Sequence, residues 1–159
     1  MTKIITRTLR QNVLSYMQLI NYTYLIFEFI RVKPLVNNDT MKYEIDMNIG
    51  NSIDIVDDLY IVTLEIIIDG DIKSHVLMSG EFEISPNVTI DSSKLEELVL
   101  YNGSSVLWSM CRQSLCNTSN TLRGGAFNLP TMNFSDMCKI EKNHLNEVKE
   151  NGHEQSENT

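Results

Sequence analysis

The chain has 159 residues, 42% of them hydrophobic and 21% charged, enough for one domain with a real core. Thirteen Lys plus Arg against 21 Asp plus Glu give −8, which argues against a general nucleic-acid binder, since phosphates are met by net positive charge. Seven Gly and three Pro exclude a collagen-like or low-complexity polymer, whereas eight Met suit irregular cores and adaptable apolar surfaces alike.

Residues 1–14 are mixed and basic, without a clean period, and read as an N-terminal arm. Tyr16 to Arg31 is rich in aromatic and β-branched residues and predicts a long strand. Leu19, Leu25, Phe27 and Phe29 alternate there with Ile20, Tyr22, Tyr24 and Ile26, so both faces are apolar and both need cover. Lys33-Pro34 stops this strand and Asn37-Asn38-Asp39 turns the chain. Met41, Tyr43, Ile45, Met47 and Ile49 then alternate with polar residues, predicting a second strand with one wet face, interrupted at Gly50-Asn51-Ser52.

Asp58 to Asp69 reads as a third strand, with Tyr60, Val62, Leu64 and Ile66 on one face. Asp69-Gly70-Asp71 is a hairpin signal, and Ile72 to Ile84 returns as a fourth strand with Val76, Met78, Phe82 and Ile84 as core positions. Asn87 to Asn102 is polar with three leucine anchors. Gly103-Ser104-Ser105 offers a helix N-cap, and Trp108, Cys111, Leu115 and Leu122 follow at helical spacing until Arg123-Gly124-Gly125. Ala126 to Met132 is a connector, and Asn133 caps a last helix with Phe134, Met137, Ile140, Leu145 and Val148 on its apolar side. A polar tail, residues 150–159, has the composition of disorder. The expected organisation is one domain over residues 15–149, in the α+β class: a four-stranded antiparallel sheet followed by two C-terminal helices.

The charge is segregated. Residues 36–103 hold fourteen acids and three lysines, so the acidity belongs to the strands, where it keeps an apolar protein soluble or steers a basic partner. The longest apolar stretch, Met17 to Ile30, is broken by Gln18, Asn21 and Glu28 and is shorter than the ~20 residues of a membrane helix, so no membrane insertion is expected. No signal-peptide pattern is found, and an odd count of three cysteines fits reduced thiols in the cytoplasm.

The sequence carries no catalytic constellation. Cys111, Cys116, Cys138 and His144 match no common zinc spacing, so no metal or other cofactor is expected. Cys138 and His144 are six residues apart and do not share a helix face, and Asp57-Asp58 reads as a solvated turn. An enzyme is not expected. Binding is, because the two-sided first strand and the sparse last helix leave more apolar surface than two helices cover.

Four motifs, in order, then acquire a resemblance. Val56-Asp57-Asp58-Leu59-Tyr60 resembles the Asp-Asp-x-Tyr before the third strand of the SecB family of export chaperones. Gly80-Glu81-Phe82-Glu83-Ile84 is similar to that family's Gly-x-Phe-x-Ile. Ser105-Val106-Leu107-Trp108-Ser109-Met110-Cys111-Arg112-Gln113 resembles the start of its long helix, with Ser109 in place of a proline. Arg123-Gly124 and Asn128-Leu129-Pro130-Thr131-Met132-Asn133-Phe134 resemble the connector into its last helix, about two residues shorter. Together they span roughly residues 20–148.

The resemblance implies an ATP-independent cytosolic holdase without nucleotide or metal, built as a tetramer, a dimer of dimers, with the long helix in the assembly contacts. Its clients are unfolded preproteins, or an antitoxin that divergent members protect from degradation. It places client contact at Tyr22, Tyr24, Phe127, Leu129, Met132, Met137 and Ile140, and oligomer contact at Leu107, Trp108, Met110, Cys111 and Leu115. It also implies an acidic sheet face that meets the export ATPase SecA; Glu28 matches one acidic position, while Tyr24 and His75 stand where the family has carboxylates. The alternative is a non-chaperone interaction adaptor on the same fold, which takes one folded partner and ignores unfolded chains.

Overall fold

The computed structural model describes residues 16–32, 44–86, 89–121 and 126–134. Four strands, β1 (Met17–Arg31), β2 (Ile45–Val56), β3 (Leu59–Gly70) and β4 (Ile72–Ile84), precede one helix, α1 (Ser92–Thr121). The strands form one antiparallel sheet in the order β1-β4-β3-β2. The α+β class and the four-stranded antiparallel sheet are therefore present. Of the two helices expected, one lies within the described residues. The last-helix residues Met137, Ile140, Leu145 and Val148, the arm at 1–14 and the tail at 150–159 lie outside them.

β3 and β4 follow the period-2 pattern closely. Val62, Leu64, Ile66, Val76, Met78 and Phe82 are fully buried, all on the face toward α1, while Ile84 is half-buried. Gly70 closes their hairpin with φ of 121°, where a side chain would run into the Glu44 carbonyl oxygen. β2 differs from expectation. It runs unbroken through Gly50-Asn51-Ser52 to Val56, because Asn51 continues the helix-facing series Ile45, Met47, Ile49 and donates to Ser104 Oγ at 2.9 Å. The β2–β3 loop is the two residues Asp57-Asp58, with φ of 50° and 65°, the left-handed pair that a tight hairpin of this hand requires.

β1 also departs from simple alternation. Its register with β4 shifts between Leu19 and Asn21 and again between Tyr24 and Ile26. Each shift inserts one residue and reverses which side chains face the core. The core-facing set is thus Met17, Leu19, Tyr22, Tyr24, Phe27 and Phe29, mixing the two series that plain alternation separates. Ile20 and Leu25, the inserted residues, are exposed.

α1 starts at Ser92, not near Ser104, and its 30 residues include most of the stretch expected to be irregular. Asp91 precedes its first turn: its carbonyl accepts from Leu95 N at 2.9 Å, and its carboxylate accepts from Ser93 Oγ at 2.6 Å. Gly103, which resembles a helix boundary, is instead a packing residue in mid-helix. A Cβ there would lie 2.8 Å from Val62 Cγ2, and one at Gly80 would lie 2.8 Å from Leu107 Cδ2. These two glycines let helix and sheet approach, and the core of Val99, Leu107, Trp108, Cys111 and Leu115 fills in around them.

After α1 the connector runs back along the helix. Phe127 N donates to Ser119 Oγ at 2.7 Å, Arg112 Nε to the Leu129 carbonyl at 2.9 Å, and Trp108 Nε1 to the Pro130 carbonyl at 3.1 Å. Phe127, Leu129 and Phe134 are buried beneath it. Among the described residues, no helix is long and apolar enough to cross a membrane.

Candidate functional site

α1 covers one face of the sheet and leaves open, among the described residues, the margin along β1, the β2 edge with Ile55 and Val56 exposed at its end, and the far face. β1 is an edge strand, and its core-facing aromatics form a ladder. The Tyr22 and Tyr24 rings meet edge-on with centroids 6.3 Å apart, and those of Tyr24 and Phe27 at 5.4 Å. The Tyr24 hydroxyl lies 2.7 Å from Ser114 Oγ and donates to the Met110 carbonyl at 3.4 Å, which ties the strand to α1. Burial holds the Tyr24 phenol above its usual titration range, against the opposing pull of the Ser114 bond.

Outside this tie the margin is apolar and open. Tyr22 is 49% exposed, Ile20 47%, Leu25 58%, Ile30 58% and Val32 52%. Four large apolar side chains at half exposure on one edge strand, with Val32 just past its end, exceed the scattered exposure of an ordinary monomer. Of these, sequence reading named only Tyr22. Ile20 and Leu25 were hidden because the two bulges place them outside the alternation. Beside the start of β1 a cavity of about 400 Å³ opens between the strands and α1, lined by Met17, Leu19, Phe82 and Val106 with Tyr16, Asn102 and Ser105 at its polar side. Asn102 Nδ2 donates to the Tyr16 hydroxyl across it.

The other expected contact residues are distributed differently. Phe127 and Leu129 are 5% and 1% exposed, and Phe127 packs on Phe29 with ring centroids 6.2 Å apart. They belong to the core of the protomer, not to an open groove, and that expectation is corrected. Met132 is half-buried; Met137 and Ile140 lie outside the described residues. Leu107, Trp108, Cys111 and Leu115 are also corrected as oligomer contacts: all four are at most 2% exposed, packed against the sheet with no surface left for a second copy. Met110 alone of that set is half-exposed. The Cys111 thiol sits 3.6 Å from Met78 Sδ, and burial pushes its pKa up to about 12. Among the described residues no three His, Cys, Asp or Glu side chains come together, and Cys138 and His144 lie outside them.

The far face carries the acidity. Glu28 is exposed there, directly across from His75, whose Nε2 lies 2.8 Å from Glu65 Oε1. Tyr24 is not on this face. It points to α1, so its comparison with a family carboxylate on the open side is corrected. Register aligns one uncharged row across all four strands: Thr23, Ser79, Thr63 and Ser52. The neighbouring rows, Asn21-Glu81-Ile61-Asp54 and Ile26-Leu77-Glu65-Gly50, stand taller on either side. The small side chains thus form the floor of a trough running across the strands. It widens at Gly50, Ser52, Thr63, Glu65 and Leu77 into a hollow of about 220 Å³.

No family model matches the sequence, and no curated protein matches it either. Solved structures do. The SecB-like chaperone Rv1957 of Mycobacterium tuberculosis, in complex with a ChAD peptide from the HigA1 antitoxin Rv1956, superposes with a TM-score of 0.54 at 12% identity. The match covers 74% of this chain and 92% of the chaperone. The sheet, the helix and their order correspond, and the chain has the fold of a SecB-like chaperone.

Proposed function

We propose that the chain is an ATP-independent chaperone that holds a non-native polypeptide against the β1 margin, with an antitoxin favoured over a secretory preprotein as client. The exposed apolar margin of β1 carries this reading. An unfolded client offers no fixed pattern of polar groups, so its recognition rests on non-directional apolar burial, and four half-exposed apolar side chains on one edge strand, with Val32 just past its end, supply it. The antitoxin is favoured because the SecB-like neighbour was solved with an antitoxin peptide. No catalytic step and no cofactor enter; the cytoplasm, where thiols stay reduced, is the compartment.

The accompanying assembly is a homotetramer. From Leu98 to Thr121, Arg112 is the one charged residue of α1, and Ser109, Gln113, Asn117 and Asn120 are exposed on its outer side. A helix surface depleted of charge suits burial against a second helix, and this face replaces the buried residues first expected there. Docking to an export ATPase is the less supported part, since His75 stands opposite Glu28 on the acidic face.

The test is suppression of aggregation of a chemically unfolded client at equimolar tetramer, with and without ATP. Suppression independent of ATP is expected. No suppression, together with capture of a single folded partner, overturns the proposal in favour of an adaptor. Mass in solution tests the assembly; a monomer at micromolar concentration contradicts the tetramer.

A further inference from the structure

The sheet has two edges, and they differ. β1 shifts register twice against β4, and a bulged edge resists further pairing. β2 pairs with β3 from Ile45–Gly70 to Val56–Leu59 without a shift, and it contains no Pro, Lys or Arg. Asp71 N donates to the Glu44 carbonyl at 3.0 Å, which makes 44–71 a hydrogen-bonded pair. Such pairs alternate along an antiparallel ladder, so the even-numbered residues of β2 turn their backbone groups to β3. The N–H and C=O groups of Ile45, Met47, Ile49, Asn51, Ile53 and Ile55 therefore point outward, along ~34 Å of straight edge. Among the described residues no strand lies beyond them.

We propose that β2 is a docking edge that takes one extended segment of a partner polypeptide as a fifth strand, a segment with basic side chains every fourth residue on one face and apolar side chains on the other. Main-chain bonds to an open edge give such a segment its hold, and the side chains on its two faces give selectivity.

The apolar face follows from the cover that α1 provides. On β3 the helix-facing Val62, Leu64 and Ile66 are fully buried, whereas Ile45, Met47, Ile49 and Ile53 in the same layer of β2 are half-buried and Ile55 is exposed. Apolar side chains on a fifth strand would lie against this flank and complete its burial. The basic face follows from charge. Residues 45–70, the whole β2–β3 hairpin, hold six acids and no Lys, Arg or His. On the face away from α1, β2 presents Asp46, Gly50 and Asp54 at intervals of four. A lysine opposite Asp46 or Asp54 meets its carboxylate directly. An arginine opposite Gly50 meets no side chain and passes over it into the hollow of about 220 Å³. Glu65 stands across from Gly50 there; its Oε1 is taken by His75, and its Oε2 lies 4.0 Å from where a Gly50 Cβ would sit. The same charges disfavour a second copy as occupant, since two antiparallel β2 edges centred on Gly50 set Asp46 against Asp54. The proposal is independent of the chaperone reading, which rests on the opposite edge of the sheet.

The experiment uses the full chain, isotope-labelled, and the capped peptide Lys-Val-Thr-Val-Arg-Val-Thr-Val-Lys, with amide hydrogen exchange read by NMR. The amides of Met47, Ile49, Asn51 and Ile53 are expected to exchange fast in the protein alone and to become protected on adding the peptide, while Ser52 and Asp54, already bonded to β3, change little. Asp46→Lys with Asp54→Lys, both at exposed positions, weakens binding about tenfold. A peptide with Glu in place of both Lys regains it on that variant. Glu65→Gln weakens binding of the Arg peptide but not of one with Thr at its centre. Protection that persists in the Tyr22→Glu/Leu25→Glu variant separates this edge from the client margin. No binding, protection on β1 or α1 instead, loss of protection in that β1 variant, equal binding by an all-Glu peptide, or equal binding by a peptide N-methylated at its valines overturns the proposal.

Discussion

Gly103 of α1 rests directly on Val62 of β3, so close that a single added methyl would sit 2.8 Å from Val62 Cγ2 and 3.2 Å from the Phe82 ring. Alanine at a mid-helix glycine ordinarily stabilises a helix by about 1 kcal/mol. Here the neighbours are a stiff β-branched side chain and a buried ring, and overpacking costs about 1–3 kcal/mol. Gly103→Ala is therefore expected to lose up to about 2 kcal/mol net, read as a lower urea midpoint at unchanged slope. A higher midpoint would mean the helix moves freely on the sheet.

Asn51 and Ser104 form a polar link between β2 and α1, with Ser104 fully buried. Asn51→Ala strands the serine hydroxyl, at a cost of about 1–3 kcal/mol. Asn51→Ala with Ser104→Ala removes both partners and is expected to recover part of that loss. Chemical denaturation of the two single variants and the double variant measures the coupling, and strict additivity would show that the bond contributes nothing.

Burial keeps Cys111 protonated, with a pKa pushed from 9.0 up to about 12. The folded pKa exceeds the unfolded one, so this group costs no stability below pH 9. Between pH 9 and 12 the unfolded chain ionises first, and stability falls as pH rises. Tyr24, also raised by burial, adds to the same alkaline loss. Cys111→Ala, once its own cavity cost is subtracted, should flatten this slope. A disulfide reagent at neutral pH should modify Cys111 only after denaturant is added, and rapid labelling of the native protein at Cys111 would contradict the packing described.

Leu25 is 58% exposed at the second bulge of β1, so Leu25→Glu should change stability by no more than about 0.5 kcal/mol. Combined with Tyr22→Glu it should nonetheless weaken client holding severalfold, measured as the concentration needed to halve aggregation of an unfolded client. Unchanged holding by this pair would move the client site off the β1 margin.

The strands were readable because β3 and β4 bury one face against α1 and so keep period 2 in their side chains. The class, the strand order in the chain and the Asp69-Gly70-Asp71 turn followed from that. The start of α1 was not readable. Gly103, Ser104 and Ser105 have the composition of a cap, yet Gly103 is set by closeness to Val62 and Ser104 by Asn51, both more than forty residues away. Ser105 and Ser109 spend their hydroxyls on carbonyls four residues back, a use that leaves no mark in the sequence. The candidate site was half legible for the same kind of reason. The family resemblance marked Tyr22 and Tyr24, but only three-dimensional packing separates the open margin of β1 from the sealed connector, where Phe127 and Leu129 look equally suited to contact.

The two bulges of β1 act on the strand as paired insertions act on a reading frame. The first shifts the phase after Leu19 and the second restores it before Phe27, so both ends of the strand face the core while Tyr22 and Tyr24 are read in the shifted frame between them. Ile20 and Leu25 are the unpaired residues, so removing either alone would erase its bulge and leave every other pair with β4 in place, whereas removing a paired residue between them would throw its neighbours onto the wrong face. Removing both would leave a regularly paired strand with the same partners on β4. Ile20, Tyr22 and Leu25 of the open margin thus belong to the frame-shifting residues and the segment between them, which can vary in sequence without disturbing the packed ends of the sheet.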